Sequence, residues 1–137
     1  MNCTFSHSLD CPPSVLLAHA KQLIREAIAG VLGGAGFRIL DQTNAIGQLH
    51  QMVRQHNPDI LLLDWQLVEE QTDALRTLAR EFSDSRIVIL SPAQPPPFVK
   101  AILEAGARGC LSLNLSSEEL IESLNMIANG DIIVSRG

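Results

Sequence analysis

Asp64 closes the apolar run Ile60-Leu61-Leu62-Leu63, the place where a strand buried on both faces delivers a carboxylate to the edge of a sheet. A carboxylate so placed can accept a phosphoryl group, ligate a hard cation or simply cap a helix. The first two roles need partners. Phosphoryl transfer onto a carboxylate brings negative charge onto a negative group, so positioning and neutralisation by Mg²⁺ and a cationic side chain carry the rate. Mg²⁺ in turn wants an octahedron of hard oxygen ligands, with carboxylates supplying compensating charge. The other residues that the chain delivers to this edge are His19, Ala20, Ser91 and Leu113, with Trp65 beside the carboxylate. Ala20 offers no ligand, His19 offers a nitrogen that Mg²⁺ disfavours, and Leu113 cannot balance phosphoryl oxygens. Weak or absent Mg²⁺ binding and no resident cofactor are therefore expected. Losing two or three electrostatic partners at roughly 3 kcal/mol each would cost several powers of ten in rate, if the effects added.

The placement of these residues follows from an alternation of elements. Ser14-Val15-Leu16-Leu17-Ala18 suits a buried strand, after which Leu23, Ile24, Ala27, Ile28, Val31 and Leu32 recur at helical spacing until Gly33-Gly34. Phe37 to Leu40 reads as a second strand, and Ile46, Leu49, Met52 and Val53 mark a second helix ending before Asn57-Pro58. Ile60 to Asp64 is the third strand. Leu75, Leu78, Ala79 and Phe82 stripe a third helix, and the β-branched Arg86-Ile87-Val88-Ile89-Leu90 is a fourth strand. A Pro-rich turn, Ser91 to Pro97, leads to a helix through Phe98, Val99, Ile102 and Leu103 that stops at Gly106, and Gly109 to Leu113 is a fifth strand. Ser116-Ser117-Glu118-Glu119 spells a capping box opening a last helix through Leu120, Ile121, Leu124 and Ile127. Strands apolar on both faces, alternating with helices, imply a parallel sheet covered on both sides. The expected fold is α/β, a flavodoxin-like (βα)5 doubly wound parallel sheet with strand order 2-1-3-4-5. In that topology a site lies outside the carboxyl ends of the strands, at the switch point between strands 1 and 3.

Composition narrows the function classes. The 137 residues are 46% hydrophobic and 18% charged, which makes one core-forming domain. Residues 1–13 read as a loose N-terminal extension, 14–130 as the domain, and 131–137, with Ile132-Ile133-Val134, as a tail or the start of a linker. A net charge of −5 with ten scattered basic residues argues against DNA binding by these residues. No apolar run reaches membrane-spanning length and no signal peptide opens the chain, so a cytoplasmic protein is expected. Cys3, Cys11 and Cys110 suit reduced thiols.

Three stretches resemble the receiver domain of a bacterial two-component response regulator, closest to the LuxR-type subfamily: residues 57–64, residues 86–91, and residues 101–109 leading to Ser116-Ser117-Glu118-Glu119-Leu120. The Glu-Ala-Gly-Ala-Arg-Gly spelling at 104–109 is the most specific of them, and the resemblance covers about Ser14 to Asp131. It implies that Asp64 is equivalent to the phospho-acceptor and Ser91 to the Thr/Ser switch residue. The family's acidic pair after strand 1 falls on His19 and Ala20, its Lys on Leu113, its aromatic switch position on Cys110, and its Met-Pro-Gly-like loop on Leu67-Val68-Glu69.

The expectation is an atypical receiver with a degenerate phosphorylation site. It would be a phosphorylation-independent regulatory and protein-interaction module in signal transduction and transcriptional control, and not an enzyme. Its partners would be proteins or a second copy, as a homodimer, with DNA reached only through a separate domain. Two alternatives stand beside it: a phospho-accepting receiver that uses Asp64 in a phosphorelay, and a small-ligand-sensing pseudo-receiver. A flavin-binding electron carrier on the same fold is disfavoured, because 18–22 offers no Ser/Thr/Gly-rich phosphate loop. Several residues carry a plainer reading. His19 is either a pH-sensitive group opposite Asp64 or a residue tolerated once metal binding was lost. Pro95-Pro96-Pro97 is either a polyproline recognition segment or a rigid loop entering a helix. Cys3, His7, Cys11 and His19 fit no common zinc spacing. Trp65 is expected to cover the pocket mouth.

Overall fold

Two strands, β1 (Ser14–Ala18) and β3 (Ile60–Asp64), are buried along their whole length and lie side by side at the centre of a parallel sheet. The structure is a computed structural model that describes residues 12–69, 71–92 and 96–135. The other strands are β2 (Arg38–Thr43), β4 (Arg86–Ser91), β5 (Gly109–Ser112) and β6 (Ile133–Val134), in the order β2-β1-β3-β4-β5-β6. The helices between them are α1 (Gln22–Gly34), α2 (Leu49–His56), α3 (Thr72–Glu81), α4 (Pro96–Glu104) and α5 (Ser117–Ala128). The expected doubly wound order is present, with one strand more.

Alternation along each strand divides the core in two, since successive side chains leave opposite faces of the sheet. Leu16, Leu61, Leu63, Ile87, Ile89 and Cys110 pack with Leu49, Val53, Leu75, Leu78 and Ile102 from α2, α3 and α4. Val15, Leu17, Leu62, Val88, Leu90 and Leu111 pack with Leu32, Leu124 and Ile127 from α1 and α5. Both faces are covered by apolar side chains, which is why the central strands read as continuous apolar runs.

The amino edge of the sheet is held by a closed polar network. Ser14 donates from its backbone N–H (2.9 Å) and its hydroxyl (3.1 Å) to Asp59 Oδ2, and the Asp59 N–H donates back to Ser14 Oγ (2.9 Å). Ser85 Oγ donates to the Pro58 carbonyl at 2.6 Å. These bonds set β1, β3 and β4 in register from their first residues.

Several boundaries differ from the sequence expectation. β2 runs on to Thr43 through the exposed polar Asp41 and Gln42, because an edge strand needs no apolar run. α4 starts at Pro96 rather than Phe98, and Pro97 occupies its first turn, where the missing N–H costs nothing. Pro95 lies outside the described residues, as do Cys3, His7 and Cys11. The segment expected as a tail supplies β6, which pairs with β5 after Gly130 (φ +110°) turns the chain back. The capping box forms as spelled: Glu119 N–H donates to Ser116 Oγ and Ser116 N–H to Glu119 Oε1. Gly106 (φ +117°) follows α4 so close to Ala79 of α3 that a side chain there would collide with the Ala79 methyl.

Candidate functional site

Because Ala18 of β1 pairs with Leu63 of β3, the next residue of each strand comes to the same spot on the carboxyl edge. Those residues are His19 and Asp64, each only 2% exposed. His19 Nε2 stands 3.8 Å from Asp64 Oδ1, beyond hydrogen-bond reach, and neither His19 Nε2 nor Asp64 Oδ2 has another protein partner. Two buried polar atoms thus face each other across a gap.

The rest of His19 is firmly held. Its N–H donates to the Thr43 carbonyl (3.0 Å), and its carbonyl accepts from Arg25 Nη1 (2.8 Å). Ring Nδ1 accepts from the Lys21 N–H (3.1 Å). An accepting Nδ1 carries no proton, so the neutral ring bears its hydrogen on Nε2, directed at Asp64. Burial lowers the His19 pKa below its ordinary value; the Asp64 carboxylate pulls it up, and Lys21 and Arg25 push it further down. The balance favours the neutral imidazole. Sequence reasoning did not assign Lys21, Arg25 or Thr43 to this site. Arg25, six residues beyond His19, is the one with a readable signal, since it sits in the first turn of α1 and can reach back over the loop.

Ser91, at the end of β4, is buried with its Oγ 3.8 Å from Cys110 Sγ. Burial pushes the Cys110 thiol up while the Ser91 hydroxyl opposes it, so the thiol stays protonated. The Leu113 N–H donates to the Ser91 carbonyl (3.0 Å), but the Leu113 side chain, 43% exposed, lines a groove of about 240 Å³ between α1 and α5. Ile24, Ile28, Leu115 and Leu120 line it too, and Asp64 does not. Ala20 is exposed and contributes a methyl group only. Trp65 is half-buried, its ring edge-on to Phe98 of α4 (centroids 6.0 Å, planes at 87°). It belongs to the packing between the site loop and α4. In the loop that follows, Val68 is buried.

The structure therefore brings His19 and Asp64 together, connects Ser91 to Cys110, and turns Leu113 into the α1–α5 groove. Among the described residues, no three His, Cys, Asp or Glu side chains cluster closely enough to hold a metal ion. No helix among them is long and apolar enough to cross a membrane.

Comparison with known proteins matches residues 15–125 to the model of the response regulator receiver domain. The transcriptional regulatory protein DegU of Brevibacillus brevis is 26% identical over 122 residues, 85% of this chain and 50% of that protein. The response regulator GacA of Pseudomonas aeruginosa is 24% identical over 123 residues, 88% of this chain and 58% of that protein. The chain thus spans about half the length of the curated relatives it matches. Among solved structures, a LuxR-family two-component response regulator from Aurantimonas superposes with a TM-score of 0.82 at 22% identity, covering 89% of each chain. The receiver domain of a response regulator from Mycobacterium tuberculosis gives 0.79 at 20% identity, covering 87% of this chain and 98% of that one. These two establish a shared fold.

Proposed function

Since the chain belongs to the response regulator receiver domain family, with LuxR-type relatives, we propose that it is an atypical member whose state is set without Mg²⁺-dependent phosphorylation of Asp64. It is a module of two-component signalling. In this reading it works as a regulatory and protein-interaction unit rather than an enzyme. Its contacts are with cytoplasmic proteins or a second copy, and DNA is reached through a separate domain of the kind that the greater length of the relatives accommodates.

The observation that carries the reading is the buried His19–Asp64 pair. A Mg²⁺ ion at Asp64 would need further oxygen ligands, and the neighbouring side chains supply an Nε2–H donor from His19 and a methyl from Ala20. Freeing Nε2 as a ligand would move the ring proton to Nδ1, against the Lys21 N–H, and sacrifice that hydrogen bond. These residues do not fit Mg²⁺. An incoming phosphoryl group would also meet no cation at Leu113 and an acceptor that is 2% exposed. The residues that remain do a different task. His19 directs an N–H toward Asp64 across 3.8 Å and ties the end of β1 to the start of α1 and to β2, which supports a structural role for the residue.

Trp65, the only tryptophan, is the reporter for the test. Mg²⁺ is titrated with and without beryllofluoride, a phosphoryl mimic, and fluorescence is followed, with Asp64→Asn as the control. The expected result is no saturable change in folded protein. A saturable response at millimolar Mg²⁺ that beryllofluoride enhances and Asp64→Asn removes would replace this reading with a phospho-accepting receiver.

A further inference from the structure

β6 is two residues long, yet it closes one whole side of the sheet. The Ile133 N–H donates to the Arg108 carbonyl (3.1 Å) and the Ser135 N–H to the Cys110 carbonyl (2.9 Å), while the Ser112 N–H donates to Ser135 Oγ (2.6 Å). The Arg108 and Cys110 carbonyls and the Ser112 N–H are thereby satisfied by a segment with little side-chain anchorage. Ile132 is 59% exposed and Val134 44%, which leaves half-buried Ile133 as the one apolar contact. A segment held by a few edge hydrogen bonds and one side chain opens at far lower free energy than the core beneath it. Gly109 adds a close approach beneath the segment: a methyl there would press on the Ile127 and Val88 side chains and come into ordinary contact with the Ile133 carbonyl.

The strand that β6 covers is also the one that touches Ser91. Cys110 has its carbonyl bonded to Ser135 and its thiol 3.8 Å from Ser91 Oγ. Ser112, paired with Ser91 across the sheet, is bonded to Ser135 by its N–H. The end of β4 and the outer segment thus share two residues of β5. We infer that the outer edge of β5 is a docking edge for an extended segment running parallel to it, that the resident occupant is this chain's own Ile133–Ser135, and that the Ser91–Cys110 contact sets its occupancy. When the segment lifts, the Arg108 and Cys110 carbonyls and the Ser112 N–H are exposed as a ready template for strand addition. The device delivers a change at Ser91 to the part of the chain beyond α5. It stands whether or not Asp64 accepts phosphate.

The test is residue-resolved hydrogen exchange on the full chain. The Ile133 and Ser135 amides are expected to be protected relative to an open chain, yet to exchange at least about tenfold faster than Leu62 and Val88 in the core. Ser91→Ala is expected to change Ser135 protection several-fold while Leu49 and Val53 in α2 keep theirs, and Ser91→Thr, which retains the hydroxyl, to stay near wild type. Ser135→Pro, which removes both the donor to Cys110 and the hydroxyl that accepts from Ser112, is expected to release Ile133 without loosening the β3–β4 pairing. Open-chain exchange of Ser135 in the wild type overturns the docking edge. Protection that falls on dilution assigns the edge to a second copy's segment and overturns the assignment within one chain. Ser135 protection indifferent to Ser91→Ala in folded protein overturns the coupling to the pocket.

Discussion

Each end of the sheet sets an aspartate against an end of β1, half-buried Asp59 beside Ser14 and buried Asp64 beside His19, and the two ends treat it in opposite ways. At the amino edge Asp59 accepts two hydrogen bonds from Ser14 and returns one, so the carboxylate is held in register with its neighbour. At the carboxyl edge Asp64 faces His19 across 3.8 Å with Oδ2 unpartnered, and that is where the fold keeps an unfavourable arrangement. His19 Nε2 is unpartnered too, and besides this pair Arg86 Nε is the one buried side-chain nitrogen or oxygen without a partner among the described residues. A buried unsatisfied polar group costs about 1–3 kcal/mol, so an edge built for stability alone would have closed this gap. The contrast separates an edge whose carboxylate is fully engaged in register from one whose carboxylate is left with an unsatisfied oxygen, as expected where a site rather than packing sets the residues.

The largest effect should come from breaking the satisfied end. Asp59→Ala removes the acceptor for two Ser14 donors and is expected to destabilise the fold by about 3 kcal/mol in a denaturant titration. A loss below about 0.5 kcal/mol would mean that water replaces the network at no cost, and the contrast between edges would collapse.

Acid should probe the other end. The folded-state pKa of His19 lies below its unfolded value of about 6.5. The unfolded chain therefore binds the proton first. The stabilisation that His19 contributes is complete above pH 6.5 and is lost as pH falls below it, by at most about 1.4 kcal/mol per pH unit. His19→Gln should flatten that part of the stability profile. The groups facing the ring are Asp64, Lys21 and Arg25, so the ring's own titration, followed by NMR, isolates its share.

Asp64→Asn should have the smallest effect on stability, a change within about 1 kcal/mol and in the stabilising direction, because it removes a buried charge that no hydrogen bond compensates at Oδ2. The same substitution should lower the His19 pKa further, since the carboxylate is what raises it. Marked destabilisation would show that Asp64 is anchored as firmly as Asp59.

The sheet order and the pairing of His19 with Asp64 were legible because central strands are long apolar runs, and neighbours in a parallel sheet end together. The capping box was equally plain in Ser116 and Glu119. β6 was not, since two residues carry no period, and the polar end of β2 hides Asp41 and Gln42 among loop residues. Within the site, residue types gave the uncharged side chains at Ala20 and Leu113. They could not give the ring orientation of His19, which the Lys21 N–H decides, nor the turn of Leu113 toward the α1–α5 groove, nor the packing of Trp65 on Phe98. Those depend on backbone directions and side-chain rotamers fixed only when the helices are in place.

The contact between Gly106 and Ala79 gives α4 a mechanical asymmetry. With no side chain at Gly106 to act as a spacer, the far end of α4 is pinned against α3. A rigid displacement of α4 therefore pivots there like a lever on its fulcrum, and the longest arm carries Phe98, at the end that rests on Trp65.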